Sequence, residues 1–227
     1  MTKNSFKRCH KSDPHFDACL VVNIEDAIHK LKNGAPELGL DSFEPLLISE
    51  LVIGEGSGPV NVQQNFKNVR LHGLTGSKVL GHKASLDENV LFAQSVTPTL
   101  RLEADYDMKG RVLLLPIYGQ GPCNVTLVNT KINHTLHGEL FDRKGKTYMK
   151  FVNYTVTLRP EIVRFHFANL FNGDDRLGDE INKVINDNWS EVFTDVRDGY
   201  ERSFGLIFQD LANRVFTRVP LKDIYLD

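Results

Sequence analysis

The chain has 227 residues, 41% of them hydrophobic, with a formal charge of −2 and a pI near 6.4. That length supports one large domain or two small ones whose core needs no stapling, and the charge leaves no excess for holding a polyphosphate backbone, which excludes nucleic acid as a natural partner. No apolar run approaches the roughly 20 residues of a membrane-spanning helix, so stable membrane insertion is not expected.

The first residues, "MTKNSFKR", are basic with no apolar segment behind them, so an extracellular destination requires that a signal peptide has been removed. Next comes "RCHKSDPHFDAC", Arg8 to Cys19, with two of the three cysteines and two histidines between them. A zinc site is disfavoured because Cys9, His10, His15 and Cys19 lack the usual ligand spacings, and adjacent Cys9 and His10 coordinate awkwardly together. A disulfide needs only that the chain turn back, and Ser12-Asp13-Pro14 supplies the turn. Closing this loop stabilises the fold by about 2.5–3 kcal/mol in the chain-entropy estimate. The reading favours a Cys9–Cys19 bond and leaves Cys123 as a small buried hydrophobe.

Val21, Ile24, Ala27, Ile28 and Leu31 recur at helical spacing and Gly34 ends the pattern, predicting a first helix over about 20–33. "GAPELGLDSFEPL" is too rich in Gly and Pro for a regular element and reads as a fixed, folded-back loop. From about 46 to 170 the period is two. In "TLRLEADYDMKG", Leu100, Leu102, Ala104, Tyr106 and Met108 alternate with charged neighbours, as in a long strand with one dry face. In the strand that contains Cys123 the inward phase passes from odd positions (Val125, Leu127) to even ones (Ile132, Leu136), which predicts a β-bulge or sharp bend and a strongly curved sheet.

Four Asn-X-Ser/Thr triplets begin at Asn124, Asn133, Asn153 and Asn188, where about two are expected by chance. In "CNVTLV" the inward phase of Cys123, Val125 and Leu127 turns Asn124 outward, where a glycan fits. Accidental triplets are the alternative. From about 177 to 211 the spacing is helical again, with Leu177, Ile181, Val184, Ile185, Val192, Val196, Tyr200, Phe204, Ile207 and Leu211 on one stripe. A helix of that length runs about 50 Å, longer than the ~45 Å diameter of a compact sphere of this chain, so the molecule is expected to be elongated. Its stripe needs a cover, and the apolar face of the sheet is the available one. The predicted fold class is α+β: one elongated domain over 1–227, with a long C-terminal helix wrapped by a strongly curved antiparallel sheet. An apolar axis left partly unfilled is an internal hydrophobic tunnel.

Several stretches together resemble the insect takeout / juvenile hormone binding protein family. The Cys9–Cys19 loop is similar to the family's N-terminal disulfide, and "GAPELGLDSFEPL" to its Gly-Ile-Pro-Glu-Leu-Gly segment followed by Asp-Pro-Leu, with Ala35 for Ile and Glu44 for Asp. "FKNVRLHGL" and "LPIYGQGPCNVTL" match its strand motifs, "NLFNGDDRLGDEINKVINDNW" is the most specific match, and "FTRVPLKDIY" looks like its C-terminal tail. The resemblance spans nearly the whole chain. It implies the tubular lipid-binding fold, a secreted protein and a tunnel for a small hydrophobic ligand, a juvenile hormone-like terpenoid or an acyl lipid. The chain has no cysteine after Cys123, whereas the family's hormone carriers have a second disulfide toward the C-terminus, so the pattern looks like the takeout branch.

Candidate ligand-lining residues are Ile24, Ile28 and Leu31 on the first helix, and Leu100, Leu102 and Tyr106 on the clearest strand. Phe165 and Phe167 follow, then Ile181, Val184, Ile185, Val192 and Phe204 on the long helix. Tyr106, Tyr118 and Tyr154 offer hydroxyls to an ester, epoxide or carboxyl. An enzyme is not expected, because no nucleophile, base and partner come together. "GEGSG" at Gly54 to Gly58 has Glu55 where a nucleophile elbow needs glycine. His134 and His137 fall on opposite faces of a strand and share no metal. No cofactor is expected, and a monomer is the default. The competing readings are a secreted interaction protein with a filled core and a receptor as partner, and a lipid-ester hydrolase.

Overall fold

The computed structural model describes residues 6–54, 59–112 and 115–227. Its strands are β1 (Leu46–Ile53), β2 (Val60–His72), β3 (Lys78–Ser85), β4 (Val90–Val112), β5 (Leu115–Arg143), β6 (Lys146–Arg159) and β7 (Ile162–Phe167). Its helices are α1 (Phe16–Lys30), α2 (Asp175–Asp187), α3 (Trp189–Phe216) and the single turn α4 (Leu221–Ile224).

The spine is the β4–β5 hairpin, which holds one register from Val90↔His137 to Val112↔Leu115. Each side of this hairpin carries two strands end to end. Along β4, β3 pairs with the first part and β2 with the second; along β5, β7 pairs with residues 123–128 and β6 with 131–143. One half of the sheet is therefore β1-β2-β4-β5-β7, the other β3-β4-β5-β6. The halves meet where β4 and β5 both change phase. Inward residues are odd at Ser95 and Thr97 but even from Leu100 to Met108, and even at Thr130 and Ile132 but odd from Cys123 to Leu127.

The bend anticipated in β5 is present, but it is not a bulge. Register with β4 is unbroken across it, and both strands kink together where Asn129, at φ 45°, lies opposite Pro98. Proline has no N–H to lose from the ladder and asparagine tolerates the left-handed region, so the pair twists without inserting a residue. A true bulge occurs in β2, where register shifts between Lys67 and Arg70 and Asn68 has φ 53°.

Two helix boundaries differ from the sequence reading. The first helix begins at Phe16 rather than near 20 and gives way to a 3-10 turn at Leu31–Asn33; Asp13 supports the early start, its carboxylate accepting the His15 N–H at 2.8 Å. The long C-terminal helix expected over 177–211 is two helices. Asn188 interrupts it at φ −113°, ψ 27°, and its side chain donates to the Val184 carbonyl, a local bond that competes with regular helix. Asp174 caps α2 by accepting the Leu177 N–H, and α3 runs on to Phe216. The apolar stripe continues across the break, with Ile181, Ile185, Val192, Val196, Tyr200 and Phe204 all buried in the main core.

The sheet is open, and helix side chains complete its edges. On β7, Asn186 accepts the Phe165 N–H at 2.9 Å and donates to its carbonyl at 2.7 Å; Asn182 does the same at Phe167, at 3.0 and 2.9 Å. On β6, Glu201 accepts the Leu158 N–H, Asn213 accepts the Phe151 N–H, and Gln209 and Asn213 donate to the Phe151 carbonyl. Across the gap Asp195 accepts the Val60 N–H, and Ser203 donates to the Val52 carbonyl. α1 serves the edge of β3, where Glu25 and Asp17 accept the N–H groups of Val79 and Ala84.

A strand edge with no partner exposes groups that cost free energy when buried. Asn213→Leu removes the acceptor of the Phe151 N–H, beside a Phe151 side chain that is fully buried. A loss of about 1–3 kcal/mol is expected, read as a fall in melting temperature of about 3–10 °C by circular dichroism. Asn153→Ala, at an exposed position, should leave the midpoint within about 1–2 °C.

Candidate ligand-binding site

The interior between sheet and helices differs in its two halves. In the β1-β2-β4-β5-β7 half, aromatic rings fill the space. Phe66 meets Tyr200 at 6.3 Å between centroids, Tyr106 meets Phe167 at 5.1 Å, and Tyr200 stacks on Phe204 at 6.3 Å. The Tyr200 hydroxyl donates to Gln64 Oε1 at 3.1 Å, so this buried polar pair is satisfied internally. A cavity of about 20 Å³ remains beside Val62, Met108, Ile117, Phe165, Ile185 and Val192. That is room for about one water molecule.

The β3-β4-β5-β6 half is less completely covered. Its inward rows are set by register: Leu91, Leu136 and Tyr154 in one, Ala93, His134 and Val156 in the next, then Ser95, Ile132 and Leu158. Leu91, Val156, Ile132 and Leu158 are buried, yet Ala93, His134, Leu136 and Tyr154 beside them keep accessible surface. Half-buried Ile207, Phe208 and Leu211 of α3 pack against the main core, whereas Ile24 packs with Leu20 and Tyr225, and Leu31 and Val215 pack with Leu38 and Val219, in smaller clusters. These inward-facing apolar groups are incompletely covered.

One polar line crosses this region. The Tyr154 hydroxyl lies 3.0 Å from His134 Nδ1, and Ser95 Oγ lies 3.0 Å from His134 Nε2. Phe208 completes the surround, its ring centroid 6.4 Å from His134 and 6.0 Å from Tyr154. Ser77 and Thr97 share a hydrogen bond at 2.7 Å one row away, toward the kink. Burial pushes His134 down to about 4 and pushes Tyr154 well above its usual range. The imidazole is neutral at physiological pH.

A larger cleft of about 400 Å³ opens elsewhere, on the outer face at the β2 bulge, lined by Asn68, Arg70, Glu103, Asp105, Asn124 and His166 among others. Charged and amide side chains stand among its apolar walls and it is open to solvent, which does not suit a wholly apolar hydrocarbon.

The sequence-derived candidates fall into distinct places. Leu100, Leu102, Phe165, Phe167, Ile181, Ile185, Val192 and Phe204 are buried in the filled half or its border, and Val184 is half-buried on α2. Tyr154 belongs to the looser half, Ile24 and Leu31 pack in the smaller clusters at Tyr225 and Val219, and Ile28 is half-buried on α1. Tyr106 faces inward, but its hydroxyl already donates to the Ala168 carbonyl at 2.6 Å. Tyr118 is the correction: it is 43% exposed and packs edge-on against Phe171, because Ile117 and Gly119 carry the inward phase of that strand. His134 and Ser95 escaped the sequence reading, although His134 shares parity with Ile132 and Leu136, a signal that already turned it inward.

Cys9 and Cys19 are bonded, with Cα atoms 6.0 Å apart, and Cys123 is free and buried. Asn133 and Asn153 are exposed; Asn124 is half-buried in the outer cleft, where its Oδ1 accepts from Thr126; Asn188 is engaged at the helix junction. Residues 55–58 of "GEGSG" lie outside the described residues. No group of side chains that could hold a metal ion occurs among the described residues.

Comparison with known proteins gives a consistent result. The family model described as "Haemolymph juvenile hormone binding protein (JHBP)" matches residues 2–226. The circadian clock-controlled protein daywake of Drosophila melanogaster is 24% identical over 96% of this chain and 86% of its own length. A putative beta-carotene-binding protein of Schistocerca gregaria is 20% identical over 66% of this chain and 59% of its own. The crystal structure of Epiphyas postvittana Takeout 1 superposes with a TM-score of 0.83 at 26% identity, covering 97% of this chain and 99% of that one.

The buried imidazole makes stability depend on pH. An unfolded histidine takes up a proton below about pH 6.5, which folded His134 refuses until about 4, so stability present above the upper value is lost as pH falls through the window. Between about pH 7.5 and 5 the loss amounts to about 2 kcal/mol. His82, also lowered by burial and opposed by Asp17, acts with the same sign. Urea unfolding of His134→Gln at the two pH values should show a drop smaller by about 2 kcal/mol than the wild type.

Proposed function

Because the chain belongs to the haemolymph juvenile hormone binding protein family, we propose that it is a secreted carrier that holds one small hydrophobic ligand, a terpenoid or an acyl lipid, between sheet and helices. The observation that carries this reading is the incompletely covered, inward-facing apolar surface formed by Leu136, Tyr154, Ile207, Phe208 and Leu211. Sheltering a fifteen-carbon chain from water gains about 12 kcal/mol at about 0.8 kcal/mol per methylene. Association costs start at about 4 kcal/mol, which leaves at most about 8 kcal/mol and so an affinity of about micromolar from this term alone. A cavity of drug-sized volume is about 300–1,000 Å³, so the ligand occupies the looser half and widens the interior as it enters. The ligand named for the locust relative, a long apolar terpenoid, lends direction to the terpenoid reading. The disulfide and the exposed Asn133 and Asn153 triplets fit an oxidising, glycosylating export route.

The tightly filled half, with its cavity of about 20 Å³, favours a second reading: a secreted interaction protein whose outer face meets a receptor. A hydrolase is less well supported. Ser95 and His134 lie at nucleophile-to-base distance, but a tyrosine hydroxyl stands where a carboxylate would orient the base, and an imidazole held near 4 accepts protons poorly at neutral pH.

Organic extraction of protein purified from an insect secretory host, followed by mass spectrometry, distinguishes these readings. A carrier yields about one equivalent of terpenoid or acyl lipid, and the uncharged fluorophore N-phenyl-1-naphthylamine binds the delipidated protein with a blue shift. A lipid-free extract together with no fluorophore binding sinks the carrier reading and leaves the interaction protein.

A further inference from the structure

We propose that Ser95, His134 and Tyr154 form a neutral head-group anchor, selecting ligands that end in an ester, ketone or alcohol over the free carboxylic acid of the same chain. This rests on the carrier reading and specifies its chemistry.

The argument begins with hydrogen-bond capacity. A neutral imidazole has one donor and one acceptor. If Tyr154 donates to Nδ1, then Nε2–H donates to Ser95 Oγ, and the Ser95 hydroxyl proton is left over. If Ser95 donates to Nε2 instead, then Nδ1–H donates to Tyr154, and the Tyr154 hydroxyl proton is left over. Both arrangements satisfy the 3.0 Å contacts on each side of the ring. The line thus always ends in one spare hydroxyl donor, at one end or the other, and a single neutral oxygen of a ligand uses one donor.

A carboxylate asks for more than one donor and for a compensating charge. The inward rows around the line are Leu91, Leu136, Ala93, Val156, Ile132 and Leu158, and the facing helix contributes Phe208. Lys131 of β5 and Lys150 and Arg159 of β6 alternate onto the outer face and are exposed. His82 pairs with Ala93 across the sheet and so shares the row of His134, about 10 Å away by strand spacing. Its Nδ1 already lies 3.3 Å from the Asp17 carboxylate, so it brings no uncompensated positive charge. The strong resistance of His134 to protonation agrees with this geometry.

Displacement of N-phenyl-1-naphthylamine from the delipidated full chain near pH 7.5 tests the anchor with four competitors of equal length: methyl dodecanoate, dodecanol, dodecanoate and dodecane. The ester and alcohol should compete at concentrations about tenfold or more below those of the acid, since a buried unpaired charge costs at least that factor, and several-fold below those of dodecane. The triple variant Ser95→Ala/His134→Phe/Tyr154→Phe, which removes every donor of the line, should retain fluorophore binding while the ester loses its advantage over dodecane. If the triple variant does not fold, the wild-type ranking of ester and alcohol against acid and dodecane decides the test. An acid that competes as well as the ester, an ester no better than dodecane, or an ester advantage that survives in the triple variant overturns the anchor and leaves the carrier standing. Displacement by none of the four competitors overturns the carrier reading itself.

Discussion

An open antiparallel sheet can enclose an interior only if something else satisfies its edges, and in this protein helix side chains do so. The match is metrical. Asn182 and Asn186 are one helical step of four apart, about 6 Å of rise, while Phe165 and Phe167 are two strand residues apart, about 6.6 Å; each amide therefore reaches the N–H and carbonyl of its own strand residue. Gln209 and Asn213 repeat the step on α3 and converge on Phe151. Close approach makes this reach possible: a Cβ at Gly205 would come within 2.5 Å of the Tyr154 carbonyl oxygen.

Edge fastening separates two duties that a packed helix usually combines. In a bundle or sandwich the apolar contact both holds the elements together and fills the space between them, so a void weakens attachment directly. With α2 and α3 tied to strand edges by directed polar bonds, the apolar surfaces between the edges are relieved of part of that duty. One half of the interior is filled by the rings of Phe66, Tyr106, Phe167, Tyr200 and Phe204 and holds the fold. The other half leaves Leu136, Tyr154, Phe208 and Leu211 incompletely covered.

Much of this was legible from residue order, because period-two and period-3.6 patterns report burial directly. Leu100 to Met108 and the stripe from Ile181 to Phe204 are of that kind, while the Cys9–Cys19 loop was legible from its turn residues and cysteine spacing. The paired kink was legible only as a change of phase: a single strand cannot reveal whether its neighbour bends with it, and the absence of a bulge appears only in the Pro98–Asn129 alignment. The break at Asn188 left the apolar stripe in phase, so periodicity passed over it. The edge amides were hidden for another reason, since Asn182, Asn186 and Asn213 flank the stripe and look like its solvent border.

His134 illustrates the limit most clearly. Parity turned it inward, but a histidine on an apolar face has no spacing rule to name its partners, and Ser95 and Tyr154 lie 39 and 20 residues away in sequence. Those partners also explain why the residue is tolerated. A buried polar group without partners is costly, and one whose two nitrogens are both bonded is not. The same chain-order distance gives the line its character: the ring is held between β4 and β6, the neighbours of β5 on either side, so its orientation is fixed by sheet register rather than by a loop. A polar line fixed to the frame, in the less completely covered half, holds its spare hydroxyl at one of two set positions, Ser95 or Tyr154, beside the apolar wall.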